Sequence, residues 1–289
     1  MMKSLLKNLH LIVLIMMTCV SQMQASEKKV LKFGIHPLYN PQKILEIFGP
    51  ICNLMTEKTS FKCVLEPAKD YSQYNNKIKE QYYDILSPNP FQTLKSLEFN
   101  YEIFGKWSND ELFRGLILVR KDSAIKKISD LKGKKISFPA STALAAAMMP
   151  QYDLAEKNLY PNKNYEPLYL GSQDSSILAV YNKTVDAGVT WIPPWKILKE
   201  EKPDIENELI VLHETNSLPN NGLIFRANLD DKSKKEISGF FINLNSTVEG
   251  KLLLSKVGVN SFESANKKNF EPVREFIKKF ENKLGKIPW

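Results

Sequence analysis

The sequence predicts an α/β protein of two lobes, each a mostly parallel sheet flanked by helices, with two crossover hinge segments between them. Three observations carry this. Short apolar runs alternate with helical stretches from residue 30 onward, the order that βαβ units produce. The chain has 289 residues, about two domains' worth at roughly 150 residues each. Finally, two extended runs, 112–120 and 223–227, break the alternation where a chain passing between sheets would have to do so.

In chain order, Val30 to His36 is a short apolar strand and residues 42–56 form a helix. A strand at 61–66, a helix at 71–81, a strand at 83–86, a helix at 91–99 and a strand at 101–104 follow. After the extended run 112–120, the turn Asp130-Leu131-Lys132-Gly133 leads into a strand at 136–138. A helix is expected over 141–158, beginning at Ser141 and Thr142. Next come strand 166–170, helix 173–182, strand 187–190, a helix from about 194 to 201 and strand 209–213. Beyond the second extended run the chain is expected to be helical at 232–244, 248–257 and 269–284. In the last of these, Phe270, Val273, Phe276, Ile277, Phe280 and Leu284 share one stripe and must face a core. Helices without a sheet of their own dock on one of the two sheets. If they return to the first, the chain crosses near 109–116 and again near 217–223. The expected division is 1–25 leader, 26–112 first lobe, 113–221 second lobe, and 222–289 back on the first lobe. Two lobes joined in this way form a clamp for a small ligand.

The composition, 43% hydrophobic and 25% charged, is that of a packed globular protein and excludes disorder, fibres and small disulfide scaffolds. Residues 1–25 read as a secretory signal. Lys3 and Lys7 precede an apolar run, Leu9 to Val20, about half the ~20 residues a membrane span needs. Cleavage near Ala25 is expected, with acylation of Cys19 as the alternative address. Loss of the leader removes two lysines and no acid, which lowers the net charge from +8 to +6. The remaining lysines are scattered, with few arginines and no interleaved aromatics, the pattern of a solvated surface rather than a nucleic-acid patch. With three histidines and three cysteines in all, one of each in the leader, no zinc cluster of ordinary spacing can be assembled. No cofactor is called for. Cys52 and Cys63 could pair in an oxidising compartment or remain buried thiols.

Three strand-to-helix turns are the candidate chemistry, because open α/β sheets bind ligands at the carboxyl ends of their strands. Pro139-Ala140-Ser141-Thr142-Ala143-Leu144-Ala145-Ala146-Ala147 offers two hydroxyls, the free amides of a helix start and side chains small enough to let an oxyanion reach the backbone. Ordinary N-capping by serine is the competing reading. Gly171-Ser172-Gln173-Asp174-Ser175-Ser176 is a second polar turn in the same lobe, and Ser87-Pro88-Asn89-Pro90 lies at the equivalent edge of the first lobe. Trp107, Trp191, Trp195 and Tyr39 fall at strand ends, where they either line a cleft or pack. His36 ends the first strand with no serine or cysteine partner nearby. Together with His213 it is one of the two histidines of the mature chain, so no base and nucleophile pair supports catalysis.

The stretch Leu116-Ile117-Leu118-Val119-Arg120-Lys121-Asp122-Ser123, the Asp130 to Gly133 turn, Pro139 to Thr142 with Pro150, Leu178 to Val180 through Asp186, Leu218-Pro219 to Arg226, and Gly258 to Pro272 occur in one order. In that order they resemble the periplasmic phosphonate-binding proteins of ABC import systems, within the phosphate/phosphite/phosphonate-binding group of the type II periplasmic binding proteins. The resemblance runs from about Leu31 to Pro272. It implies that the oxyanion is held by a Ser-Thr-Ser run, of which Ser141 and Thr142 match and Ala143 departs. It places Gln173 where the family has a histidine, and Phe91 at an aromatic position without its hydroxyl. The acidic positions that hold a substrate ammonium fall near Pro193 and at Asn221, so the cradle for an amino group is missing. The resemblance therefore implies a non-enzymatic, extracytoplasmic binding protein, and both lobes lying in one chain make a monomer the expectation. It would hand a small anionic solute, phosphonate- or phosphite-like, to an ABC permease, with Ser141, Thr142, Gln173, Asn89, Asn221, Tyr39, Phe91, Trp191 and His36 around the ligand. A sensor docking on a receptor or histidine kinase, and a binder of another organic anion such as a sulfonate, are the alternatives.

Overall fold

The computed structural model describes residues 28–287 and 289; the leader, with its expected cleavage point and Cys19, lies outside them. The first sheet opens with β1 (Lys29–Ile35), β2 (Phe61–Leu65) and β3 (Ile85–Ser87), all parallel. Between them run α1 (Pro41–Lys58) and α2 (Tyr71–Lys79). α1 forms because Asn40 accepts from the Lys43 amide at 3.0 Å and Pro41 opens the first turn. Its buried stripe, Ile44, Ile47, Phe48, Ile51, Leu54 and Met55, packs on the sheet. Cys52 on α1 is disulfide-bonded to Cys63 on β2, with Cα atoms 5.3 Å apart, which decides the question the sequence leaves open.

After α3 (Pro90–Ser96) and β4 (Tyr101–Trp107) the chain leaves for the second sheet, entering it as β5 (Gly115–Arg120). There β6 (Lys135–Phe138), β7 (Glu166–Tyr169) and β8 (Ala187–Trp191) are parallel, while β5 is antiparallel to both β8 and β9 (Leu209–Glu214). The chain returns as β10 (Gly222–Arg226), inserted antiparallel between β3 and β4, and β11 (Phe262–Ser264) closes the far edge. The strand orders are β11-β4-β10-β3-β1-β2 and β7-β6-β8-β5-β9. Both sheets are therefore mixed. The strand that enters each sheet from the other, β5 or β10, runs against its neighbours, because it approaches from the opposite end to a strand fed by a helix.

Three elements differ from expectation. The helix predicted to start at Ser141 starts at Leu144, as a wide five-residue π turn (Leu144–Met148) that runs into α4 (Met149–Glu156). Its N-cap is Ala143, with no side-chain cap bond, and Ser141 and Thr142 form a turn ahead of it. β11 lies between the helices expected at 248–257 and 269–284, where no strand is expected, and a short helix α7 (Asp204–Glu208) follows α6 (Ile192–Glu201). The remaining helices are α5 (Gln173–Tyr181), α8 (Asp231–Ile242), α9 (Val248–Val257) and α10 (Glu271–Leu284). α10 lies against α3 of the first lobe and α4 of the second together, rather than on one lobe. Its Phe276 ring meets Tyr152 edge-on at 5.5 Å, and Lys283 pairs with Glu156.

Candidate functional site

The two crossovers, residues 108–114 and 215–221, run side by side and fix one wall of the site. Asn220, fully buried, ties them together: its side chain donates to the Ser108 carbonyl at 2.9 Å, and its amide donates to the Asp110 carboxylate at 2.9 Å. Asn220 Oδ1 in turn accepts from the Asn221 amide at 2.8 Å, and the Asn221 carbonyl accepts from the Trp107 amide at 2.8 Å. With its backbone held on both sides, Asn221 borders a recess of about 10 Å³, room for one water molecule at most. Asn221 has zero exposure, and neither Nδ2 nor Oδ1 has a partner.

The opposite wall is the π turn. Residues Ala143 to Ala146 line the cavity, and the first amides of such a turn have no intrahelical acceptor. Gly115 sets how close β5 comes. A Cβ there would stand 2.2 Å from the Ala145 carbonyl oxygen, so only glycine allows the strand to lie against the turn. From the first lobe come His36, Tyr71 and Asn89; from the second, Gln173 and Trp191; from the first crossover, Phe113. The Phe113 and Trp191 rings are 5.3 Å apart and Trp107 backs Trp191 at 6.4 Å, which makes one side aromatic.

Each polar side chain is oriented by a second contact. Asn89 caps α3 in a reciprocal box with Gln92 and uses its Nδ2 to reach the Thr142 carbonyl at 2.9 Å in the other lobe. Gln173, the first residue of α5 after the Ser172 cap, accepts from Thr190 at 3.0 Å. Burial pushes the Tyr71 phenol far above its ordinary range, and a hydrogen bond from Gln173 offsets part of that rise. His36 holds its Nδ1 at 3.0 Å from the Ser87 carbonyl, and burial lowers its pKa to about 4, against a small opposing effect of that bond. At neutral pH the ring is uncharged. The cavity lining contains no carboxylate, lysine or arginine.

Of the residues expected at the ligand, His36, Asn89, Gln173, Trp191 and Asn221 are brought together. Ser141 and Thr142 border an adjoining hollow of about 480 Å³, shared with Asp70, Ser72, Asn75 and Tyr169. Tyr39 and Phe91 border neither space. Tyr39 is buried with the Lys43 ammonium 4.8 Å above its ring, and Phe91 packs edge-on against Trp289 at 5.6 Å. Trp195 is in the core of the second lobe. Tyr71 and Phe113 were missed. In sequence, Asp70-Tyr71-Ser72-Gln73 reads only as a capped helix start, and Phe113 sits in a crossover without periodicity.

The lobes also meet outside the cavity. Lys43 on α1 reaches Glu201 on α6 at 2.7 Å and Asp174 on α5 at 4.0 Å. Burial raises the Asp174 carboxyl pKa, Lys43 lowers it and Glu201 raises it.

Two α/β lobes, two crossovers lying side by side and a recess between strand ends lined from both lobes define a type II periplasmic binding protein. Residues 33–270 match the family described as "ABC transporter, phosphonate, periplasmic substrate-binding protein", and the chain belongs to that family. It is 26% identical over 276 residues to the phosphonates-binding periplasmic protein of Escherichia coli K12, covering 89% of this chain and 79% of the relative. The fold is similar to that of a phosphonate transporter binding component from Pseudomonas aeruginosa (TM-score 0.82, 22% identity, 88% and 87% of the two chains). It is also similar to PhnD1 of Prochlorococcus marinus, solved with methylphosphonate (TM-score 0.80, 19% identity, 89% and 100%).

Proposed function

We propose that this chain, exported and freed of its leader near Ala25, works as a monomeric, non-catalytic binding protein. It captures a small phosphonate- or phosphite-like anion between its lobes and delivers it to an ABC permease. The observation that carries the reading is the Asn221 side chain, wholly buried with both amide atoms unpaired. An orphaned buried polar group costs ~1–3 kcal/mol, and a ligand that pairs with it recovers that cost. The π-turn amides supply further donors on the facing wall, with the Tyr71 hydroxyl and the Gln173 amide between them. Ser141 and Thr142, on the adjoining hollow, form the rim over which the anion enters. With no lining carboxylate to hold an ammonium, the organic group is small and uncharged and lies on Phe113 and Trp191. The two lobes, divided near residues 112 and 221, close over it, with Asn89 to Thr142 and Lys43 to Glu201 as contacts between them, and the recess, about 10 Å³ without ligand, widens to take the anion.

Thermal unfolding of residues 26–289 against phosphate, phosphite, methylphosphonate, 2-aminoethylphosphonate and methanesulfonate tests this. A ligand at 100 times its dissociation constant adds ~2.7 kcal/mol, several degrees for a chain of this size. A shift with methylphosphonate or phosphite and little with 2-aminoethylphosphonate is expected. No shift with any phosphorus oxyanion would reject the reading.

A further inference from the structure

His36 does something that the other cavity residues do not. The atom its Nδ1 meets is the Ser87 carbonyl oxygen, 3.0 Å away, which can only accept. Nδ1 must therefore carry the hydrogen, and the neutral ring is left with a bare lone pair on Nε2. No side chain among the described residues pairs with Nε2, and the residue borders the cavity. The rings against it are Tyr71 and Trp107, each with its centroid 6.4 Å away, and no ionised side chain lies among them or in the cavity lining. Nothing nearby would stabilise an imidazolium. Asn89 is committed to its cap and to Thr142, and Asn221 can turn either end of its amide toward a ligand. His36, in its fixed tautomer, can only accept.

We propose that Nε2 of His36 is the proton-reading group of the site, requiring an oxyanion that brings or acquires one acidic hydrogen. This inference rests on the binding reading above. A phosphonate or phosphite monoanion carries a P–OH that donates to Nε2 while its other oxygens accept from Asn221 and the π-turn amides. A dianion binds only with one proton taken from solvent, and the complex then holds the same atoms with that proton between oxygen and Nε2. A sulfonate of equal size and charge has no hydrogen to give. Its oxygen would face a lone pair, or a proton would have to be drawn onto a nitrogen that burial keeps neutral. A site shaped for a hydroxyl donor rejects the analogue that lacks it, so His36 separates phosphorus oxyanions from sulfonates.

The test is calorimetric titration of the wild-type chain with methylphosphonate and methanesulfonate, in buffers of different ionisation enthalpy, from below to above the second ionisation of methylphosphonate. Close to zero protons taken up below that ionisation, close to one above it, and at least 100-fold weaker methanesulfonate binding are expected. His36→Gln, whose amide can donate, should lose the proton uptake above the ionisation and narrow the selectivity at least tenfold. Methylphosphonate binding with no proton taken up at high pH, or equal affinity for the two anions, overturns the role of His36 alone and needs no variant. Selectivity unchanged in a folded His36→Gln protein would move the role to Asn221 and also overturn it. Failure of the wild-type chain to bind any phosphorus oxyanion would reject the binding reading itself, and this inference with it.

Discussion

Replacing Asn221 by leucine should make the ligand-free protein more stable while removing its affinity. In the wild-type chain two polar atoms are sealed from water without partners, and the space beside them admits one water at most. Each unsatisfied atom costs ~1–3 kcal/mol. Allowing for one bridging water, a net relief of about 1 kcal/mol is expected from an apolar side chain of similar volume, roughly 2–4 °C in midpoint for a chain of this order. Ligand binding moves the other way. Hydrogen bonds to a charged group contribute ~1.5–3 kcal/mol each, so loss of even one or two is about 3 kcal/mol, close to 150-fold in dissociation constant. Differential scanning calorimetry with and without methylphosphonate reads both quantities from one sample pair. An Asn221→Leu protein that melts lower than wild type, or that keeps its full ligand shift, would show that the amide is a structural group and not a ligand contact.

Further outcomes follow from other contacts. Asn89→Asp keeps an acceptor for the Gln92 amide but sets a buried, unpaired carboxylate oxygen against the Thr142 carbonyl; its melting point should fall and its affinity drop at least tenfold, whereas Asn89→Ala should lose ~1 kcal/mol of capping. The double change Ser141→Ala, Thr142→Ala should weaken binding less than tenfold in fluorescence titration, because both residues border the outer hollow; a loss as large as that of Asn221→Leu would put the hydroxyls on the anion. Reduction of Cys52–Cys63, eleven positions apart, should lower stability by slightly under ~3 kcal/mol, measured by urea unfolding with and without reductant. The folded-state pKa of Asp174 is raised, so its protonated form favours the closed, folded chain, and that contribution is lost as pH rises through the raised value. Asp174→Asn should therefore flatten the acid side of the stability profile and raise stability at neutral pH. A fall at neutral pH would mean that Lys43 outweighs burial there.

The alternation of strands and helices was legible because each strand is a compact apolar run and each helix has a buried stripe, as in α1 and α10. The extended runs 112–120 and 223–227 are largely the strands β5 and β10, each lying just after a crossover, so the runs marked where the chain changes sheet. Strand direction was not, because the antiparallel entry of β5 and β10 depends on which end of a sheet the chain approaches. The site helix was misplaced for a physical reason. Ser141 and Thr142 carry the usual capping signal, but Asn89 claims the Thr142 carbonyl from the other lobe, and the turn widens until Ala143. β11 is three residues long with two of them exposed, too little pattern to read. Asn221 was found through its place in the resemblance, while Asn220, which aims it, is one more polar residue in a loop until the two crossovers are seen side by side. Tyr71 likewise acquires its role only when the lobes meet.

The contact of α10 with both lobes bears on how long a captured solute stays. A clamp held only by its two crossovers would swing freely about them. Here the Phe276–Tyr152 contact and the Lys283–Glu156 pair form a separate seam, and opening must slide one helix over another before the recess reaches water. On the binding reading proposed above, escape would be timed by the lifetime of that seam as well as by the solute's own hydrogen bonds.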